Sequence, residues 1–303
     1  MRNITEYKNL TWVDIIEPTE EDIQYLKNEF KLHPLTLKIV IPSIHHPDLD
    51  VFRNYISIIL HYSWTKENGE IQIQEFDIIA GKNYLITNHY QKVSPLNFIL
   101  DQCLKSDLKR EEFMGRGTGF LLFTMLNKFL KGNLTKVDEI ENRIDSVEKE
   151  IFLERERKVV KDISYLKMEI IDLWRTIEPQ GVIFDYLRNY GAKFFGQEFQ
   201  HYFADLLRFN KRIENALKNS KEAIESLEET NHILVTLKMN EIIKVLTLFS
   251  VFLLPLTLLA SIWGMNTNFL PFKESVFDFW LIVGLMVITL SGMIFYFRKR
   301  KWI

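Results

Sequence analysis

Residues 241–268 read EIIKVLTLFSVFLLPLTLLASIWGMNTN. From 245 to 272 the chain carries no charged residue over 28 positions. At ~1.5 Å per helical residue such a run exceeds a ~30 Å hydrocarbon core. The run is not uniformly apolar. Asn240, Thr247, Ser250, Thr257 and Ser261 recur at spacings of seven, three, seven and four, and Leu254 falls between them on the same helical face. Lipid cannot satisfy amides and hydroxyls, so a polar seam on a spanning helix requires a partner helix or water. A plainer reading is that the Thr and Ser hydroxyls bond to the preceding turn inside a packed helix pair. Trp263-Gly264-Met265-Asn266 then supplies a breaker and an amide at the far membrane surface. The stretch reads as the wall of a pore, with Pro255 tolerated because neighbours in a membrane bundle can satisfy the carbonyl it frees.

Upstream, a pattern without Pro or Gly begins near Gln197 and runs to Leu254. Leu206, Ile213, Leu217, Ile224, Leu227 and Leu234 sit at a/d-like spacing, interrupted by Asn210, Ser220 and Asn231. A sustained heptad with polar seam positions suggests self-association with its register fixed by the polar residues. Joined to the apolar run it predicts one helix of roughly 65 residues, about 100 Å long. Downstream, residues 279–297 form a second uncharged segment long enough to cross once, followed by Arg298-Lys299-Arg300-Lys301-Trp302. The positive-inside rule puts that basic end in the cytosol, so two crossings put the N-terminal part there too and leave only 264–278 outside.

The charge of this chain, 26% of its residues, lies almost wholly before position 245. A net charge of −2 argues against a nucleic-acid partner, which demands a basic face. With Cys103 alone no disulfide closes within the chain, which suits a reducing cytosol, and MRNITEYKNLTWVDI lacks the apolar core of a signal peptide. Residues 10–16 predict a strand, and Thr19 with Glu20, Glu21 and Asp22 predicts a capped helix ending near Leu32. Residues 51–64, 71–80 and 84–87 are rich in β-branched and aromatic residues and suggest an antiparallel meander. From about Ser94 the pattern is helical, with 121–152 and 159–187 as arms of a hairpin turning at 154–157. The expected class is an α+β cytosolic domain over 1–95, a helical domain and coiled-coil stalk over 96–240, and a transmembrane domain over 241–303.

MNEIIKVLTLFSVFLLPLTLLASIWGMN, the short loop, the second span and the KRKW end closely resemble the CorA family of magnesium channels. Leu173-Trp174-Arg175-Thr176-Ile177-Glu178-Pro179 and Tyr202-Phe203-Ala204-Asp205 also look like that family's helical domain. The likeness covers about Phe30 to the C-terminus. It implies a CorA-like funnel: a homopentamer in the lipid bilayer, with the stalk helix continuing into the first span and the second span as an outer ring. Mg2+ holds its waters tightly, so a pore is better off contacting the hydrated ion than stripping it. A ring of Asn266 amides beside Gly264 and Met265 offers neutral dipoles to those waters. Glycine there permits a backbone conformation costly to other residues. Asn240, Thr247, Ser250, Thr257 and Ser261 would line the path, and Ile243, Leu246 and Leu254 would form an apolar constriction that gates by dewetting. The implied cargo is Mg2+, with Co2+ and Ni2+ as companions, and no resident cofactor.

This sequence departs from the family in two places. Asp205 aligns with an acid that bridges subunits through regulatory magnesium, but the partner acids fall on Lys38-Ile39, and Asn127 and Lys131 stand where further acids are expected. The expectation is that Lys38 pairs with Asp205 across the interface in place of the ion. In the outer loop, Leu270-Pro271-Phe272-Lys273-Glu274 moves the mouth acid beside a lysine and leaves Glu274 and Asp278 as cation collectors. A zinc transporter of the same architecture and a non-conducting coiled-coil scaffold are the rival readings.

The remaining motifs are weaker. His45-His46-Pro47-Asp48-Leu49-Asp50 reads as a polar loop before a strand rather than a metal site, since adjacent histidines point apart. Gly115-Arg116-Gly117-Thr118-Gly119 lacks the Gly-Lys-Ser/Thr ending of a phosphate loop and reads as a helix-capping loop. Asp138, Glu139, Glu141, Asp145, Glu148 and Glu150 read as a solvated helix face. No arrangement of nucleophile, base or paired carboxylates suggests an enzyme.

Overall fold

The computed structural model describes residues 1–41, 45–65, 71–91, 93–151, 156–265, 278–300 and 302. It divides into two compact units, Met1–Glu229 and Thr230–Ile303. The first is built on a six-stranded sheet: β1 (Arg2–Tyr7), β2 (Leu10–Ile16), β3 (Asp48–Val51), β4 (Tyr55–Thr65), β5 (Ile71–Gly81) and β6 (Tyr84–His89), ordered β1-β2-β6-β5-β4-β3. The expected meander exists as β4-β5-β6, all antiparallel. The sheet itself is mixed, because β2 pairs with β6 in parallel, Thr11 opposite Tyr84 and Ile16 opposite His89. The strand expected over 51–64 begins only at Tyr55, because Phe52 N–H bonds the Tyr55 carbonyl at 2.9 Å and turns the preceding β3 back on β4.

Helix α1 (Glu20–Phe30) begins as its sequence dictates. Thr19 accepts from the Asp22 N–H and Asp22 caps the Thr19 N–H in return, a reciprocal capping box worth about 1 kcal/mol. It ends two residues before the expected Leu32 because Lys31 turns left-handed at φ 51. With α2 (Pro34–Ile39) it covers one sheet face, where Val13, Ile15, Leu26, Leu37, Val40, Ile79 and Ile86 form a closed core.

The opposite face meets α3 (Ser94–Lys105), α4 (Asp107–Met114), α5 (Thr118–Ile151) and α6 (Glu156–Ile177). Phe76 of β5 stacks on Phe129 of α5, and Thr118 donates to the Lys82 carbonyl at 2.8 Å. Ion pairs Arg143–Glu169 and Lys158–Glu150 tie α5 and α6 as antiparallel arms. The second arm stops at Ile177 rather than 187, because Pro179 lacks an N–H and its ring disfavours the helical conformation at Glu178. The chain continues as α7 (Gln180–Tyr186), a π turn over Leu187–Gly191, α8 (Ala192–Phe195), a 3-10 turn, and α9 (Gln200–Trp263).

Helix α9 has 64 residues, against about 65 expected. Its first heptads are covered by this same chain: Leu206, Ile213, Leu217 and Ile224 are buried, as are the interrupting Asn210 and Ser220. Tyr202 packs edge-on to Phe123 of α5 at 4.8 Å, and Lys167 of α6 bonds Glu228 at 2.6 Å. Self-association through this part of the stripe is therefore corrected to burial within the one chain. Periodicity reveals a buried face without revealing what buries it. Leu227, Asn231 and Leu234 remain only half-buried.

In the second unit, α9 runs through Pro255 without a break to Trp263, and α10 spans Asp278–Lys299. Both are long and apolar enough to cross a membrane, and neither apolar window is buried in the chain.

Candidate functional site

Two faces of α9 beyond Asn240 differ in what covers them. Leu248, Val251, Phe252, Pro255, Leu256, Leu259 and Trp263 are half-buried. They recur at three- and four-residue spacing, and Phe252 meets Phe297 of α10 edge-on with ring centroids 5.5 Å apart. Ile282, Val283, Met286, Leu290, Met293 and Phe297 form the matching half-buried stripe on α10. The other face of α9 is open. Asn240, Ile243, Leu246, Thr247, Ser250, Leu254, Thr257 and Ser261 are all exposed, Leu254 by 68%. Every one of the expected path-lining residues thus lies away from the second span. From Asn240 to Ser261 this face extends about 31 Å along the axis, the depth of a hydrocarbon core.

The hydroxyls of this face do what the plainer reading expected, in part. Thr247 donates to the Ile243 carbonyl at 2.7 Å, Ser250 to Leu246 at 3.0 Å and Thr257 to Leu253 at 2.8 Å. They are not inside a packed pair, however, and their oxygens are exposed. With the proton committed to the backbone, each oxygen has only lone pairs to present outward. The face is therefore a ladder of neutral acceptors, interrupted by apolar Ile243, Leu246 and Leu254, and no charge lies on it from Val245 to Met265.

The end of the helix corrects the reason for its glycine. Gly264 is not in the left-handed region, which among the described glycines holds Gly117 and Gly196. Its N–H bonds the Ala260 carbonyl at 2.9 Å, and a Cβ would lie 3.1 Å from that same oxygen. The tight spot at this glycine is its approach to its own preceding turn, not an unusual dihedral. Met265 follows, exposed, with its N–H on the Ile262 carbonyl at 3.3 Å. Asn266 and Glu274 lie outside the described residues, and Asp278 opens α10.

In the first unit, Lys38 is exposed on the last turn of α2 and Asp205 is exposed on α9. Asp205 accepts from Arg208 at 2.9 Å, a partner the sequence reading missed although the three-residue helical spacing was visible. Among the described residues no hydrogen bond or ion pair joins Lys38 to Asp205 within one chain.

His45 does carry structure: its ring nitrogen lies 3.0 Å from Glu75, and its carbonyl meets His61 Nε2 at 2.7 Å. Glu75 and Asp77 are both buried on the α1/α2 face of β5, and Asn88 donates to Asp77 at 2.8 Å. Burial first, then the Glu75 charge, pushes the Asp77 carboxyl well above the usual range against the lowering effect of Asn88. Among the described residues no group of three or more His, Cys, Asp or Glu is arranged to hold a metal ion. The acids Asp138, Glu139, Glu141, Asp145 and Glu148 are exposed, as a solvated face requires, and Glu150 is half-buried against Lys158. Gly117, at φ 89, shapes the loop whose carbonyl accepts from Leu121 in the first turn of α5.

The sequence model of the family described as "CorA-like Mg2+ transporter protein" matches residues 7–299. The chain belongs to this family. A curated relative, the cobalt/magnesium transport protein CorA of Thermotoga maritima, is 23% identical over 295 residues, covering 97% of this chain and 83% of its own. The complete structure of the CorA magnesium transporter from Methanocaldococcus jannaschii aligns with a TM-score of 0.86 at 21% identity, covering 98% of this chain and 93% of that one. The cytoplasmic domain of ZntB from Vibrio parahaemolyticus aligns at 0.64 and 12% identity, over 76% of this chain and 89% of its own. At these identities the structural likeness fixes the fold, a soluble α/β domain with a long helix and two C-terminal apolar helices, and nothing finer.

Proposed function

We propose that this chain assembles as a homopentamer in the cell membrane and conducts hydrated divalent cations, Mg2+ first and Co2+ or Ni2+ with it, into the cytosol where both termini lie. The observation that carries this reading is the uncharged, exposed acceptor face of α9, which ends at Gly264-Met265 and lies opposite the face that α10 covers. A hydrated cation turns its water hydrogens outward, so it requires acceptors. Thr247, Ser250 and Thr257, with protons tied to the backbone, offer only acceptors. Neutral oxygens bind such an ion weakly enough to release it, which conduction requires. Asn266 is the proposed selectivity ring, where an amide oxygen would accept from the ion's waters. Ile243, Leu246 and Leu254 are the proposed constriction. An inward-negative potential of 100 mV contributes roughly 4.6 kcal/mol to a divalent ion, so no other energy source is required.

Membership of a magnesium-transporter family supports the cargo, and the ZntB domain shares the soluble fold, so zinc is the second reading. Uptake of Mg2+ and Zn2+ into liposomes holding the full-length protein, with and without a pH gradient, separates them. Mg2+ uptake indifferent to the pH gradient and lost in Asn266→Ala is the expected result. Zn2+ uptake dependent on the gradient, or Mg2+ flux unchanged in Asn266→Ala, overturns it.

A further inference from the structure

Between the π turn with α8 and the start of α9 the first unit holds an open cavity of about 310 Å3 that the transport reading does not use. Arg188, Asn189, Lys193, Gln197, Gln200 and His201 line it, and no carboxylate does. Ala192 and Ala204 complete the wall. We propose that this cavity binds a small phosphate-bearing anion.

The cavity is built by local structure rather than by drifting surface side chains. The π turn Leu187–Gly191 sits where one helix would otherwise continue into the next, and such single turns recur at functional sites. It places Arg188 and Asn189 on the same side as Lys193, one helical element later. Gly191 is required beneath them: a Cβ there would lie 2.7 Å from the Phe203 ring of α9. Gly196, at φ 129, turns the chain into α9 and brings Gln197, Gln200 and His201 to the opposite wall. Phe195, Phe199 and Phe203 pack against one another behind this corner at centroid separations of 6.1–6.4 Å.

The Arg188 guanidinium is held by a carboxylate, and the Lys193 ammonium carries its charge without one. Asp185, outside the lining, accepts from Arg188 at 2.8 Å and stands 3.4 Å from the Asn189 amide. One carboxylate thus orients a guanidinium whose fork has further N–H groups to offer. The Lys193 ammonium lies 5.4 Å from the centre of the Tyr190 ring, a contact that positions the charge without neutralising it. The remaining walls supply amide and imidazole donors. Several donors converging from two sides suit a multi-oxygen tetrahedral anion better than a planar carboxylate, and Arg with Lys is the usual pairing for phosphate. The volume accommodates more than one phosphate group and lies at the lower end of small-ligand sites.

Isothermal titration of the full-length protein with pyrophosphate and with a nucleoside diphosphate, both free of divalent cation, tests this at low salt. Saturable binding is expected, competed by inorganic phosphate and weakened roughly tenfold by Arg188→Gln or Lys193→Gln, as for loss of one charge-assisted contact. Lys221→Gln, on α9 outside the cavity, should bind as the wild type does. Should Arg188→Gln lose folded structure through its broken pair with Asp185, Lys193→Gln carries the test alone. A lipid headgroup offers the same phosphate, so the titration is repeated in nanodiscs of phosphatidylcholine and of phosphatidylglycerol. Equal binding in both supports a soluble anion. Loss of binding only in phosphatidylglycerol assigns the cavity to lipid and overturns the proposal. Absent binding, or binding indifferent to Lys193→Gln, overturns it too. None of these readouts depends on ion flux.

Discussion

Asp205 and Arg208, one turn apart on α9, face each other at 2.9 Å with both side chains more than half exposed. The acid that resemblance to CorA channels marks as a bridge for regulatory magnesium already has a cation beside it in its own chain. Lys38 stands where the family's partner acids fall. Both cations work against a bound divalent ion at that place. Asp205→Ala is therefore expected to leave liposome uptake as insensitive to internal millimolar Mg2+ as in the wild type, and to shift the thermal midpoint little, since an exposed pair contributes about 0.5 kcal/mol. Lys38→Glu should instead introduce inhibition. Closure by Mg2+ that vanishes in Asp205→Ala would return the bridge to this residue.

Leu254 is the most exposed of the three apolar residues on the open face, set between Ser250 and Thr257. If it narrows the path by excluding water, then an amide of similar size wets the constriction. Leu254→Asn should raise resting Mg2+ uptake severalfold, with the protein's oligomeric state on size exclusion unchanged. Uptake equal to wild type would remove Leu254 from the gate.

The hydroxyl at Thr257 separates two roles that share one hydrogen bond. Its proton goes to the Leu253 carbonyl at 2.8 Å, which bends or fastens the helix, while its oxygen faces outward. Valine keeps the shape and removes both. A role as water acceptor predicts a severalfold loss of Mg2+ flux in Thr257→Val with an unchanged melting temperature. A purely structural role predicts the reverse, altered melting and normal flux.

What could be read from the sequence follows from how local each signal is. The Thr19–Asp22 capping box, the β2 strand over Leu10–Ile16 and the 64-residue α9 rest on neighbouring residues, and all were legible. The parallel pairing of β2 with β6 joins Val13 to Ile86, far apart in the chain, and no local pattern announces it. The open face of α9 was legible as a spacing, because polar residues at three and seven repeat on one side of any helix. What the opposite side packs against, shown by Phe252 on Phe297, was not, since apolar stripes do not name their partners. The same ambiguity hid that Leu206 through Ile224 are already buried within a single chain. Pro179 was a legible break read past because the periodicity on either side of it stayed in phase.

Asp77 gives a prediction in the soluble unit that is independent of transport. Its carboxyl is buried beside Glu75 and bonded by Asn88 at 2.8 Å. Burial and the Glu75 charge raise its folded pKa above the unfolded value near 3.8. The sign follows from linkage. The folded state holds this proton more tightly, so the stability it contributes is complete below the unfolded pKa and is lost as pH rises toward the folded one. Asp77→Asn keeps the acceptor that Asn88 uses and replaces the titrating oxygen with an N–H that can donate to Glu75. The variant should melt a few degrees higher than wild type at pH 8. Its midpoint should fall less than the wild type's between pH 5 and 8. Equal slopes for the two proteins in a fluorescence melt across that range would show that Asp77 is ionised in the folded protein throughout.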